Sequence, residues 1–239
     1  MLVMMNWLIW NCRGAGKKNF VSFVKDCTRI YNLGFVAILE PRIGNFRADQ
    51  VIKRLGFECV VKADPVGYSG GIWCCWKPSV ISIRVINVSR HCIHLHVDPN
   101  NQGGWFMSII YAHPQESLRL SLWEELKSYK NQLQGPWCAA GDFNSISCES
   151  EKQGGSPANR AAINRFKDCL DYCELADLGA KGPPFTWQRG ELLERLDRVV
   201  ANPLWRSIFS SASVTNLTLP PSDHCGLWLR MNLSNQASP

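Results

Sequence analysis

Five polar clusters, each at the end of or within an apolar run, carry residue types that can jointly handle a phosphate and a hard metal ion. Asn11 ends Trp7-Leu8-Ile9-Trp10, and Glu40 ends Phe35-Val36-Ala37-Ile38-Leu39. Asp142 and Asn144 follow Trp137-Cys138-Ala139-Ala140-Gly141, Asp197 sits within Arg195-Leu196-Asp197-Arg198-Val199-Val200, and Ser222-Asp223-His224 leads into Cys225-Gly226-Leu227-Trp228-Leu229. Buried strands tolerate acids poorly, so carboxylates gathered at several strand ends point to a shared ligand that needs them.

Phosphodiester cleavage needs charge neutralisation, a base to activate water, and donors for the non-bridging oxygens. Glu40 and Asp223 suit Mg²⁺, which takes few carboxylates and keeps several waters. Asn11 orients a metal-bound water or a phosphate oxygen without adding charge, and is grouped with the metal residues and with the substrate. Asp142 takes the proton from the attacking water and Asn144 positions that water. His224 donates to the phosphate, with Asp197 fixing its tautomer and favouring its charged form. Tyr111, at the end of the run 105–111, adds a phenolic donor.

These residues need strands to hold them. Strand-like runs lie at 6–11, 35–40, 57–62, 71–76, 80–87, 92–97, 105–111, 137–141, 185–188, 195–200, 213–218 and 225–230. Apolar residues at three- and four-residue spacing predict helices from Ser117 to Leu133 (Leu118, Leu122, Trp123, Leu126, Tyr129) and from Asn159 to Leu175, with a third from Lys18 to Ile30. Asp98 to Gly104 reads as a turn between antiparallel strands. Strand-rich segments interleaved with a few helices predict two packed sheets flanked by helices, an α+β sandwich. No repeat or linker divides the chain, so residues 1–239 read as a single domain.

Hydrophobic residues make up 46% of the 239, with ten tryptophans, which excludes a disordered segment. The 26 Lys and Arg against 20 Asp and Glu give a net charge of +6, which permits a polyanionic partner. The eleven cysteines sit mostly in apolar runs, no CxxC pair is present, and no signal peptide or membrane-length apolar run is evident. The expected compartment is therefore reducing, nucleus or cytoplasm, with no membrane association and no protein partner.

Other motifs offer less. His94-Leu95-His96 places two imidazoles on one strand face, read as an exposed edge without a third metal ligand. Gly67-Tyr68-Ser69-Gly70-Gly71 lacks the ending of a phosphate-binding loop and reads as a turn. The Gly-rich stretch from Ser145 to Ala158 reads equally as a functional loop or a solvated connector. Lys17, Lys18, Arg42, Arg47, Lys53 and Arg54 are either a backbone-binding face or ordinary surface cations.

In order along the chain, Trp10-Asn11-Cys12-Arg13-Gly14, Leu39-Glu40-Pro41-Arg42, Ile110-Tyr111-Ala112, Gly141-Asp142-Phe143-Asn144, Arg195-Leu196-Asp197-Arg198 and Ser222-Asp223-His224 resemble the endonuclease/exonuclease/phosphatase superfamily, over a core of about 6–231. The resemblance implies a four-layer DNase I-like α/β sandwich with two packed, mostly antiparallel sheets, Mg²⁺ or Mn²⁺ dependence and phosphoester hydrolysis. The opening Met-Asn-Trp-Leu-Ile-Trp-Asn-Cys-Arg-Gly, Glu151-Lys152-Gln153-Gly154-Gly155 and Pro184-Phe185-Thr186-Trp187 resemble the endonuclease domain of plant non-LTR (LINE-type) retrotransposons. That likeness implies a DNA endonuclease that contacts the duplex backbone and nicks one strand to leave a 3′-hydroxyl. It also sets Thr186 and Trp187 beside the scissile phosphate. Arg13 and Arg42 are assigned to the substrate; they depart from abasic-site endonucleases, which have Asp at the first position and Thr-Lys after the glutamate. The alternatives are a phosphodiesterase on RNA or a small phosphoester, and a decayed relic that binds nucleic acid.

Overall fold

The computed structural model describes residues 3–64, 70–99 and 104–233. The apolar runs become β1 (Val3–Asn11), β2 (Phe35–Leu39), β3 (Cys59–Ala63), β4 (Ile72–Trp76), β5 (Ile83–Val88), β6 (Cys92–Val97), β7 (Trp105–Tyr111) and β8 (Trp137–Asp142). Beyond them lie β9 (Lys152–Gln153), β10 (Ala176–Asp177), β11 (Trp187–Arg189), β12 (Leu192–Glu194), β13 (Asp197–Ala201), β14 (Ser213–Thr218) and β15 (Cys225–Leu233). The helices are α1 (Phe20–Ile30), α2 (Asn45–Leu55), α3 (Glu116–Gln132), α4 (Arg160–Tyr172) and α5 (Pro203–Ile208).

Two six-stranded sheets form, in the orders β14-β15-β1-β2-β4-β3 and β10-β13-β8-β7-β6-β5. Each is antiparallel except for one central parallel pair, β1 with β2 and β7 with β8. A parallel pair needs a crossover, which α1 and α3 supply. Because β1, β2, β7 and β8 all run toward the same edge of the sandwich, Asn11, Glu40, Tyr111 and Asp142 leave the fold together. In open sheets, ligands bind outside the carboxyl ends of parallel strands.

The central core lies between the sheets, around Trp7, Phe35, Trp105, Trp205 and Met231. Trp7 stacks on Phe35 with centroids 4.2 Å apart and tilts onto Trp105 of the other sheet at 5.2 Å. A second core packs α1 and α2 on the outer face of the first sheet, and a third packs α3 and α4 on the outer face of the second. The expected four-layer sandwich is the fold observed.

Several expectations change. The helix α2 was absent from the sequence reading although Ala48, Ile52 and Leu55 form its buried stripe and Gly56 ends it with φ 84. The short strands β9, β10 and β12 and the helix α5 were also unpredicted. On α3 the buried stripe takes Arg119 while Leu118 is exposed, because the Arg119 guanidinium caps the carbonyls of His113 and Pro114. The pair His94 and His96 is not on an edge: β6 lies between β5 and β7, and His94 is buried. Asp197 opens its strand rather than lying inside it. Residues 100–103 of the expected turn and 67–69 of the glycine-rich turn lie outside the described residues; β6 and β7 do pair antiparallel.

Replacing Trp7 with Ala removes the ring that joins both sheets, and is expected to cost about 3–5 kcal/mol of stability, read as a lower midpoint in urea unfolding.

Candidate active site

Register brings the site together before any side chain is considered. Tyr111 pairs with Asp142, and Asp142 pairs with Asp197, across three adjacent strands of the second sheet. Past the end of β1, the Cys12 amide bonds to Leu39 and the Gly14 amide to Glu40, so Asn11 and Glu40 leave the first sheet side by side. Gly141 makes the approach of β8 to β7 possible. Its φ is 141, and a Cβ there would sit 2.0 Å from the Ile110 carbonyl oxygen.

The side chains of Asn11, Asp142, Asp197 and His224 are buried and hydrogen-bonded in one chain. His224 Nδ1 lies 2.9 Å from Asp197 Oδ2 and 3.9 Å from Asp142 Oδ2. Asn11 Nδ2 donates to Asp142 Oδ2 at 2.9 Å and lies 3.4 Å from His224 Nε2, while Asn11 Oδ1 accepts from the Arg13 amide. The Asn144 amide donates to Asp142 Oδ1 at 2.8 Å, and its side chain is held by the Ala112 carbonyl. Thr186 Oγ1 accepts from both the Leu196 and Asp197 amides at 2.9 Å, anchoring the start of β13. Ser222 Oγ donates to the Asn11 carbonyl and accepts from the His224 amide, which ties β15 to β1.

Burial, then the charge of Asp197, raises the pKa of Asp142 above the usual carboxylate range. Burial pulls His224 down, but the charges of Asp197 and then Asp142 outweigh it and hold the imidazole up at about 9. His224 is therefore cationic at neutral pH. Burial and then the charges of Glu40 and Asp142 raise Tyr111, which stays a protonated phenol.

Glu40 and Asp223 form the other half of the site. Glu40 accepts Arg42 Nε at 2.8 Å on Oε1 and Arg13 Nη1 at 3.3 Å on Oε2. Arg13 Nε lies 3.2 Å from Asp223 Oδ1, and Trp187 Nε1 donates to Asp223 Oδ2 at 3.1 Å. The two arginines therefore face the carboxylates. Arg13, Glu40, Arg42 and Asn144 all have φ between 46 and 55, a left-handed conformation that costs a non-glycine residue free energy and gathers at functional sites.

Among the described residues, two sets of three potential metal-ligand atoms lie within 4.8 Å of one another: Asp142, Asp197 and His224, and Cys92, His94 and Glu125. In the first set His224 is bonded to Asp197, and Asp142 is held by Asn11 and the Asn144 amide. In the second, Cys92 Sγ lies 3.7 and 3.5 Å from the two ring nitrogens of His94, so it is not in line with either nitrogen's lone pair. Ser108 bonds His94 Nδ1 at 2.7 Å and Tyr129 stacks on the ring, an arrangement that packs α3 on β6. The chemistry of a hard divalent ion fits Glu40 and Asp223 better: Asp223 Oδ1 is sealed from solvent and accepts no hydrogen bond, Arg13 Nε being close but misdirected.

Beside His224, Asn144, Arg13 and Trp187 a cavity of about 490 Å³ opens, also lined by Arg119, Lys152, Arg189, Glu116 and Glu194. Sequence reasoning missed these cations, since isolated basic residues carry no pattern. It also missed the buried network behind the site. Arg198, with no exposed side-chain surface, pairs with Glu151 at 2.8 Å and Asp177 at 3.0 Å, and Arg195 pairs with the same two acids. The stretch 145–158 is thereby pinned at Glu151 rather than free in solvent.

The sequence matches the Endonuclease/Exonuclease/phosphatase family over residues 8–224. The chain belongs to that family. No curated protein matches it in sequence. Among solved structures it is similar to the endonuclease domain of TRAS1, a telomere-specific non-LTR retrotransposon, at 14% identity and TM-score 0.75, covering 96% of this chain and 99% of that one. It is also similar to the AP endonuclease LMAP from Leishmania major, at 16% identity and TM-score 0.75 over 95% and 87% of the two chains. A 3′ phosphatase from Neisseria bound to a product DNA hairpin shares 17% identity, with TM-score 0.71 over 95% and 99%. Enzymes of this family characteristically depend on a divalent metal, and among the described residues no helix is long and apolar enough to cross a membrane.

Burial alone would raise Glu151, but bonding to Arg198 and then to the Ser147 amide and Arg195 holds it down at about 2. With the folded value depressed, its contribution to stability is complete above the unfolded value near ~4.3 and is lost as pH falls toward 2. Glu151→Gln is expected to cost about 3–5 kcal/mol at neutral pH and to flatten the stability profile between those values, measured by urea unfolding across pH.

Proposed function

We propose that the chain is a divalent-metal-dependent DNA endonuclease, built as a single domain, that nicks one strand and leaves a 3′-hydroxyl. The observation that carries this reading is the buried chain from Asn144 through Asp142 and Asn11 to His224 and Asp197, set against the Asp223 carboxylate, whose buried Oδ1 accepts no hydrogen bond. Asp142 removes a proton from a water held by the Asn144 side of the site, and its raised pKa suits a base working near neutral pH. The water oxygen forms the new bond to phosphorus, the bond from phosphorus to the 3′ oxygen breaks, and that oxygen takes a proton from solvent. His224, kept cationic by Asp197, and Asn11 both aim donors at the same point, where a non-bridging phosphate oxygen gathers charge. Tyr111 keeps its proton and adds a third donor. Glu40 and Asp223 would hold Mg²⁺ or Mn²⁺, which neutralises phosphate charge and stabilises the departing oxygen as a Lewis acid.

The DNA assignment is supported by an open cavity lined by Arg13, Arg119, Lys152 and Arg189 against Glu116 and Glu194, a surplus of cations that suits a polyanion. It is supported further by the retrotransposon endonuclease domain and the DNA-bound phosphatase among the similar structures. Thr186 fixes the start of β13, and Trp187 lies against Asp223 at the cavity wall, next to the place of the scissile phosphate.

The test is nicking of supercoiled plasmid by the purified chain with Mg²⁺ or with EDTA, beside His224→Ala and Asp142→Ala. Open circles are expected only with metal, and each variant is expected to lose at least roughly 10²-fold in rate while its circular dichroism is unchanged. End-labelling then reads the 3′-hydroxyl. Full nicking by either folded variant would remove the role given to that residue, and no nicking by the folded wild type would remove the DNA assignment.

A further inference from the structure

Arg13 lies between the two carboxylates to which the reading above assigns the metal, and the inference drawn from it rests on that reading. Its Nη1 is 3.3 Å from Glu40 Oε2 and its Nε is 3.2 Å from Asp223 Oδ1, so one guanidinium spans both acids. Arg42 occupies the remaining oxygen of Glu40. The two contacts of Arg13 are unequal. The one to Glu40 is a hydrogen bond to a buried oxygen, whereas the one to Asp223 is an ion pair without hydrogen-bond alignment, beside an oxygen that accepts no other donor. The Asp223 contact is the one that opens at least cost.

We propose that Arg13 is a built-in competitor of the divalent cation: its guanidinium holds Glu40 and Asp223 in place, and a metal binding both acids must displace it from Asp223. A guanidinium stays charged at every accessible pH, so it leaves by moving, not by losing a proton. A dication and a guanidinium sharing one pair of carboxylates repel each other, which drives that movement. Arg13 is about one-third exposed, already lines the cavity, and holds a left-handed backbone at φ 50 that its present contacts must compensate. Once freed from Asp223, it keeps its bond to Glu40 and turns its released Nε to the cavity it already lines, where it takes a phosphate of the substrate. Metal and DNA then bind cooperatively, since a polyanion that pairs with Arg13 leaves the carboxylates to the metal, and the coupling is reciprocal.

The experiment is Mn²⁺ binding, read from the electron paramagnetic resonance signal of the free ion, to the wild-type chain, Arg13→Ala and Arg13→Gln, without DNA. The Gln variant keeps bulk and a donor where Ala loosens the loop, and circular dichroism checks both folds. Both neutral variants are expected to bind Mn²⁺ tighter than wild type by roughly 5–150-fold, the usual span of coupling between two ligands. A short phosphodiester duplex is expected to raise the Mn²⁺ affinity of the wild type by a larger factor than that of the variants, after correction for Mn²⁺ bound by the duplex alone. Equal or weaker Mn²⁺ binding by both folded variants overturns the inference and leaves the metal assignment standing. Absence of Mn²⁺ uptake by all three folded proteins overturns the metal assignment and, with it, the inference.

Discussion

Two carboxylates and an imidazole are buried together at one edge of this sandwich, and the rest of the structure has to make that tolerable. An ionised group taken out of water costs several kcal/mol unless partners replace the lost hydration. Here the partners come from both sheets. Asp142 and Asp197 belong to the second sheet, Asn11 and His224 to the first, and the bonds between them cross the seam. The cluster is therefore satisfied only when the sandwich is closed. Trp7, stacked on Phe35 in its own sheet and tilted onto Trp105 of the other, closes it from the apolar side.

The same economy explains why each sheet carries one parallel pair. An antiparallel meander sends alternate strand ends to opposite edges. A parallel pair sends two consecutive strand ends to the same edge, so β1 with β2 and β7 with β8 deliver Asn11, Glu40, Tyr111 and Asp142 together. Antiparallel neighbours supply the rest from their starting residues: Asp197 opens β13, and His224 immediately precedes β15. Backbone strain concentrates at the same edge, at Arg13, Glu40, Arg42 and Asn144, where the chain turns sharply off a strand.

What could be read from the sequence was whatever local pattern encodes. Apolar runs of strand length mark twelve of the strands to within a few residues, and the polar residue that bounds a run marks Asn11, Glu40, Asp142 and His224. Contacts between residues distant in sequence left no such trace. Nothing in Arg13 foretells that it faces Glu40 and Asp223, and nothing in Glu151 foretells its pairing with Arg198, 47 residues on. The helix α2 was missed because its stripe of Ala48, Ile52 and Leu55 is thin and its exposed face carries Phe46, an aromatic that blurs the periodicity. His94 was misplaced because strand order, which decides whether a strand is an edge, is a property of the whole sheet.

The polarity of the site follows from how its charges are divided. On one side Asn11 and the cationic His224 present hydrogen-bond donors, and on the other Glu40 and Asp223 present acceptors held by guanidinium groups. On the second sheet, Arg195 and Arg198 pair with Glu151 and Asp177, so their positive charge fixes the 145–158 stretch. In the cavity wall Lys152 is paired with Glu194 and Arg13 with Glu40 and Asp223, so these cations meet an incoming anion only by exchanging partners.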